Sequence, residues 1–170
     1  SFSIESAGDL TLDDAYYYAD VDPCCIHPVE LALAITTFKK EQYVLNNLNL
    51  IKEGILSGKE PISEHFHVHV VDNGRSLDCN SGSDRISIHP NPNVGGSGGF
   101  ARGMIEALEQ NPKATHVLLM DDDVEVLPES FIRTFNLLSL LKEKYVNAFL
   151  SGAMMSLEEP NLRTEDLGFF

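Results

Sequence analysis

The run Leu31-Ala32-Leu33-Ala34-Ile35-Thr36-Thr37, opened by Glu30, is apolar at consecutive rather than alternate positions. A strand with one wet face alternates, whereas a strand covered on both faces does not. The run therefore predicts a central strand of a sheet flanked by helices on both sides. Residues 41–57 then place Val44, Leu45, Leu48, Ile51 and Ile55 on one helical stripe, and Gly58 can end it. His65-Phe66-His67-Val68-His69-Val70-Val71 predicts a second strand, ending at Asp72-Asn73-Gly74. Strand, helix, strand is a βαβ unit, and its strands should run parallel.

The rest of the chain continues the pattern. Residues 75–84 are a polar loop, and Arg85-Ile86-Ser87-Ile88-His89 predicts a third strand. A glycine-rich stretch opens a helix to about Gln110, stopped by Asn111-Pro112. Phe100, Met104 and Leu108 fall on its expected buried face. His116-Val117-Leu118-Leu119 reads as a short buried strand. Pro128-Glu129 starts a helix to about Tyr145, with Phe131, Ile132, Phe135, Leu138 and Leu141 as its stripe. Ala148-Phe149-Leu150-Ser151-Gly152-Ala153-Met154-Met155 reads as a further strand. The order β-α-β-β-α-β-α-β predicts an α/β domain with a mostly parallel sheet.

That domain is assigned to residues 31–170, with residues 1–30 as an acidic, irregular lead-in draped over it. In the lead-in, Asp9, Asp13, Asp14, Asp20 and Asp22 surround Tyr16-Tyr17-Tyr18, and Pro23 and Pro28 forbid regular structure nearby. The tyrosines are expected to pack on the domain. The chain ends in Leu167-Gly168-Phe169-Phe170 with no stop signal, and it reads as a fragment of something longer.

Charge narrows the function. The net charge of −14 argues against nucleic acid and against an anionic membrane surface, because both need a basic footprint. A phosphate-bearing ligand would need local help from a metal, backbone amides or placed cations. Cys24, Cys25 and Cys79 are odd in number and lack CxxC spacing, so neither a disulfide framework nor a zinc site is expected. No apolar run approaches membrane-spanning length and no signal peptide opens the chain. A reduced, cytoplasmic setting is the expectation, with the inner face of the cell membrane as its variant.

Met120-Asp121-Asp122-Asp123-Val124 ends a buried strand in three carboxylates. Like charges this close raise one another's pKa or demand a cation. In extended backbone Asp121 and Asp123 share one side and Asp122 takes the other. Two oxygen donors with room for water suit Mn2+ or Mg2+ shared with a phosphate. Asn93-Val94-Gly95-Gly96-Ser97-Gly98-Gly99 places four glycines in five residues at a helix start. Glycine permits close backbone approach, and the helix N-terminus offers free N–H groups and a positive dipole end. Arg102 lies in the first turns and could point the same way. His65, His67 and His69 share a strand face, but their even spacing does not converge on one ion. In a parallel sheet ligands sit outside the carboxyl ends of the strands. Thr37-Phe38-Lys39-Lys40, Asp72-Asn73-Gly74 and the aspartates should meet there, joined by the glycine loop.

These four motifs together resemble family 2 inverting glycosyltransferases of the GT-A fold, and most of all the branch of bacterial galactofuranosyltransferases. The likeness runs over roughly residues 31–155. It implies a GT-A-type, Rossmann-like sheet, incomplete on its C-terminal side. It implies a UDP-sugar donor, UDP-galactofuranose or a related sugar, and a cell-envelope glycan or lipid-linked glycan acceptor. It also implies donor contacts from Thr37, Phe38, Lys40, Asp72, Asn93, Gly95, Gly96, Arg102, Asp121 and Asp122, with Mn2+ or Mg2+ on Asp121 and Asp123. Where the family usually has arginine, this chain has Lys40, which keeps the charge and loses the planar fork. The family's aspartate base and a metal-binding histidine would lie beyond Phe170, so no catalytic residue is assigned, and the fragment alone should catalyse little. The full-length protein could be oligomeric.

Other readings compete. Gly96-Ser97-Gly98-Gly99-Phe100-Ala101 fits the dinucleotide fingerprint G-x-G-x-x-A of an NAD(P)-binding oxidoreductase, but Pro90-Asn91-Pro92-Asn93-Val94 separates it from its strand. A D-x-D phosphatase would carry its motif on the first strand. A calcium loop starting at Asp121 would need glycine at Val126 and glutamate at Ile132. A non-catalytic nucleotide-binding module is the remaining alternative.

Overall fold

The structure is a computed structural model, and it describes residues 5–11, 13, 18, 20–159 and 161–165. Asp14, Tyr16, Tyr17 and the apolar end Leu167–Phe170 lie outside the described residues.

Four parallel strands form the main sheet. They are β1 (Leu31–Thr37), β2 (Phe66–Asp72), β3 (Ile86–Pro90) and β4 (His116–Asp121), in the spatial order β3-β2-β1-β4. The arrangement is α/β and Rossmann-like, as the consecutive apolar runs require. β1 is central, and Leu31 through Ile35 are fully buried. The pleat splits it into two faces. Leu31, Leu33 and Ile35 join Phe66, Val68 and Val70 of β2 in the main core. That core is closed by Val44, Leu48 and Ile51 of α1 (Glu41–Ile51), by Ile55 of the π-helical turn Lys52–Leu56, and by Phe135 and Leu138 of α3 (Pro128–Ser139).

The opposite face of β1 offers only Ala32, Ala34 and Thr36. Against it lies α2 (Gly95–Glu109), which crosses from β3 to β4 over β1 and β2. The expected buried face of α2 is corrected here. Met104 and Leu108 are exposed and Phe100 is half-buried, while Gly99, Gly103 and Ala107 are buried. The cause is the small surface beneath. A Cβ on Gly103 would stand 2.6 Å from the Ala34 Cβ, and one on Gly99 would collide with the Thr36 side chain. The helix seats so close to the strand that only its smallest stripe fits.

Two other expectations change. The last long helix stops at Ser139, because Leu140 leaves helical geometry (φ −109°, ψ 4°), and a short 3-10 turn follows at Glu143–Tyr145. The expected strand at 148–155 does not join the sheet. Only Met154–Met155 (β5) is extended, paired antiparallel with Arg163–Glu165 (β6). Local bonds fold this segment on itself, with Ser156 N–H donating to Leu162 O at 2.9 Å and Leu162 N–H to Glu159 O at 2.7 Å. Among the described residues the outer edge of β4 has no ladder partner, and Leu119, Phe149, Leu150, Met154 and Met155 are exposed.

The lead-in is exposed wherever it is described up to Ile26, Tyr18 included. Packing begins at His27, whose N–H donates to Ser139 O at 2.8 Å, and at the buried Val29. No helix among the described residues is long and apolar enough to cross a membrane.

Candidate functional site

The connection from β1 leads to β2 on one side, and the connection from β3 returns over the sheet to β4 on the other. The chain therefore reverses direction between β1 and β4, and the loops after those strands diverge to leave a crevice. Thr36 pairs with Asp121 at the ends of the two strands. Beyond them the loops are bridged by charge. Lys39 takes a positive φ of 57°, which turns the chain so that Lys40 caps α1. The Lys40 ammonium donates to Asp123 Oδ2 at 2.7 Å and stands 3.4 Å from Asp122 Oδ1. Their hydrogen bond raises the Lys40 pKa and lowers that of Asp123.

The strand ends at Asp121, so Asp122 and Asp123 lie in the turn after it rather than in the extended backbone expected. Asp121 and Asp123 are exposed and Asp122 is buried. Asn47 of α1 holds this loop. Its Nδ2 donates to Val124 O at 2.7 Å and to Asp122 O at 3.4 Å, while its Oδ1 accepts from Val126 N–H at 3.3 Å.

The loop after β2 is built on Asp72, which is fully buried. Its Oδ1 accepts from Gly74 N–H at 2.9 Å, and its Oδ2 from Ser76 and Leu77 N–H at 2.7 and 2.8 Å. These bonds make Asp72 the organiser of its own turn. Asn73 then joins three loops. Its N–H donates to Thr37 O at 2.9 Å and its Nδ2 to Gly95 O at 3.1 Å, while its Oδ1 accepts from Asn91 Nδ2 at 2.8 Å.

At the start of α2, Gly95 has φ 75° and its N–H donates to the Asn93 side chain at 3.1 Å. Cβ atoms on Gly95 and Gly96 would meet nothing within 4 Å, whereas one on Gly98 would run into Val94. The glycine cluster thus divides into an open pair and residues that serve packing. Val94 caps the helix without a side-chain bond, so the first-turn N–H groups keep the positive end of the dipole.

The other expected positions are distributed as follows. Phe38 is exposed, and the Lys39 ammonium sits 5.3 Å from its ring centroid. Thr37 is buried, with a hydroxyl that has no hydrogen-bond partner. Arg102 runs along its own helix to Glu106, and its Nε donates to Oε1 at 2.6 Å. The structure therefore brings Lys40, Asp122 and Asp123 into contact, ties the Asp72 loop to the glycine loop through Asn73, and engages Arg102 elsewhere. Sequence reasoning quoted Asn73 only within the Asp72-Asn73-Gly74 motif, without a role of its own, and did not single out Asn47 or Asn91. Asn47 alone left a signal, as a polar residue between Val44 and Leu48 on an apolar stripe.

The histidine series does not converge either. His65 precedes β2 and pairs with Glu30 at 2.7 Å. His67 meets Ser87 at 2.9 Å, and His69 lies between His89 at 3.1 Å and Gln110 at 2.8 Å. Among the described residues no group of three or more His, Cys, Asp or Glu is assembled around a metal position. Asp121 and Asp123 still fit a hard cation by chemistry. They are exposed carboxylates at one strand end, and an ion such as Mg2+ takes one or two carboxylates and completes its shell with water and phosphate. The dinucleotide fingerprint follows β3, an edge strand, and two of its three glycines, Gly98 and Gly99, serve packing.

The amino-acid sequence agrees with known proteins over part of its length. It is 41% identical over 78 residues to galactofuranosyltransferase GlfT2 of Mycolicibacterium smegmatis, a stretch that is 46% of this chain and 12% of the relative. The chain is similar to a galactofuranosyltransferase. The GlfT2 of Mycobacterium tuberculosis is 40% identical over 77 residues, which is 45% of this chain and again 12% of the relative. The matched stretch thus spans about an eighth of each relative. No family model matches the chain. The resemblance to glycosyltransferases read from the motifs thus has a counterpart in a sequence match over less than half of the chain.

Proposed function

We propose that this chain is the donor-binding part of a metal-dependent, inverting glycosyltransferase that transfers galactofuranose or a related hexose from its UDP donor. The acceptor is a hydroxyl of a cell-envelope glycan, free or lipid-linked. The observation that carries the reading is the bridge of Lys40 to Asp122 and Asp123 across the crevice between β1 and β4. It joins a cation and a carboxylate set at the edge where a parallel sheet receives its ligand. The curated relatives support the same reading through their names.

In this scheme Asp121 and Asp123 hold Mn2+ or Mg2+, which when bound neutralises the diphosphate as it leaves. Lys40 supplies a second positive charge. Phe38 offers an exposed ring face to the base, and the loop stiffened by Asp72 and Asn73 shapes the nucleoside end. Gly95 and Gly96 let backbone amides approach the donor. The acceptor hydroxyl would attack the sugar C1, giving its proton to a base that none of the residues named here supplies, while the bond from C1 to the diphosphate breaks and its electron pair leaves with UDP.

Calorimetric titration of UDP with and without Mn2+ tests this reading. The expected result is UDP binding that strengthens with Mn2+ and is lost in Asp121→Ala/Asp123→Ala. Binding of NAD but not UDP would replace the reading with the dinucleotide one.

A further inference from the structure

The geometry points to a second cation position, apart from the aspartates, where His69 Nδ1 and His89 Nε2 hold a divalent transition ion such as Zn2+ and clip the edge strand β3 to β2. This position is independent of the donor site. It borders a cavity of about 500 Å3 on the α2 side of the sheet, at the far end of α2 from the open glycine pair. The cavity is lined by His69 of β2, His89 of β3, Glu106 of α2 and Gln110 just after it. Carboxylates from Asp84, Glu106 and Glu109 outnumber the guanidinium of Arg85 in its wall, so the wall favours a cation over an anion. The imidazole pair joins neighbouring strands, unlike the His65, His67 and His69 series along one strand.

The two ring nitrogens face each other at 3.1 Å, and their surroundings decide where the protons sit. Gln110 Nε2 donates to Pro112 O at 3.0 Å, so its Oε1 is the atom turned to His69 Nε2, at 2.8 Å. That contact is a hydrogen bond only if Nε2 carries the His69 proton, which leaves Nδ1 with a bare lone pair. On the other ring, His89 Nδ1 stands 3.6 Å from Glu106 Oε1, an oxygen also held by Arg102. The carboxylate draws the His89 proton to Nδ1 and leaves Nε2 bare as well. Two bare nitrogens at this distance repel. If the proton moved to Nε2 to bridge the rings, the Nδ1 lone pair would face the carboxylate instead. A neutral pair therefore carries a repulsive contact in either tautomer, and a positive charge between the rings removes it. An extra proton is disfavoured by burial, which lowers the pKa of both rings. A metal ion takes the neutral imidazole that burial favours.

Zn–N bonds are about 2.0–2.1 Å, so an ion bonded to both nitrogens at their present separation would subtend about 95–100°. That lies between square-planar and tetrahedral angles. The ion sits off the line of the nitrogens, on the cavity side, where each ring turns toward it and water completes the shell. Gln110 and Glu106 then serve as the outer hydrogen-bond partners that metal-bound imidazoles carry. Ligand type separates the two cation positions, because imidazole suits Zn2+, Ni2+ or Cu2+ and carboxylate suits Mg2+ or Mn2+.

The test titrates Zn2+ alone into the whole 170-residue chain and reads the ring nitrogens of its six histidines by 15N magnetic resonance. The His69 Nδ1 and His89 Nε2 signals should shift and saturate together, and the melting temperature should rise, because the ion binds the folded chain. Gln110→Ala, which removes only the outer partner of His69, should weaken Zn2+ about tenfold. His89→Gln should abolish the His69 shift. Excess Mg2+ and Asp121→Ala/Asp123→Ala should leave both shifts in place. Zn2+ that leaves these two nitrogens unmoved in the wild type would overturn the assignment, and so would binding lost in Cys24→Ser/Cys25→Ser but kept in His89→Gln.

Discussion

The Asn47 side chain donates to the carbonyl of Val124, 77 positions further along, at 2.7 Å. It is 2% exposed, and it also accepts from Val126 N–H. One side chain of α1 therefore supplies the polar partners for the aspartate loop. Asn47→Ala should cost about 1–3 kcal/mol, the range for leaving buried polar groups unpaired. Urea denaturation followed by circular dichroism measures it. A loss below about 0.5 kcal/mol would show that water replaces the clamp.

Asp72 makes a second, independent prediction. Its carboxylate receives three backbone N–H bonds inside the protein. Asp72→Asn puts an amide NH2 where one set of donors already points, and hydrogen bonds to a charged group are worth about 1.5–3 kcal/mol. Amide hydrogen exchange at Gly74, Ser76 and Leu77 should accelerate at least tenfold, while exchange in the centre of β1 changes only with global stability.

The glycines of α2 should separate into two classes. Gly103→Ala drives a methyl group to 2.6 Å from the Ala34 Cβ, and overpacking of this kind costs about 1–3 kcal/mol. Gly96→Ala meets nothing within 4 Å and should be neutral or stabilising by up to about 1 kcal/mol through helix propensity. Melting temperatures of the two variants should move in opposite directions or differ by several degrees. Equal losses would refute the division.

The imidazoles between β2, β3 and α2 predict acid sensitivity. Burial lowers the pKa of His67 to about 4, and burial is also the main cause of the lower pKa of His69 and His89. Groups facing them include Arg85 near His67, Glu106 near His69 and His89, and Arg102 near His89. As pH falls below about 6.5, the unfolded chain takes up protons that the folded chain still refuses. Stability is therefore full above that pH and falls as pH drops toward 4. Melting followed at pH 7.5, 6 and 5 should show a steady decline, shallower in His67→Gln. A flat profile over that range would contradict the sign.

Local patterns were legible and distant partners were not. The consecutive apolar residues of β1 announced a covered parallel strand, and the place of Asp121 at the end of β4 followed from the apolar run before it. The buried face of α2 was misread because it is chosen by Ala32, Ala34 and Thr36, some seventy residues away. Residues 148–155 have the composition of a strand, but composition does not name a pairing partner. The bonds of Asn73 and Asn91 were not legible, since Asn73 reaches Thr37 and Gly95 across the fold and Asn91 reaches Asn73.

The ladder between β1 and β4 has one more consequence. It fixes Leu31 opposite His116 and Thr36 opposite Asp121, with Leu118 and Met120 facing the main core. A slip of one residue would expose those two side chains and exchange the faces of every position. Asp121, the last residue of β4, would turn inward. Its outward direction is thus a matter of parity, and Leu118 and Met120 are the keys that keep it toward the crevice.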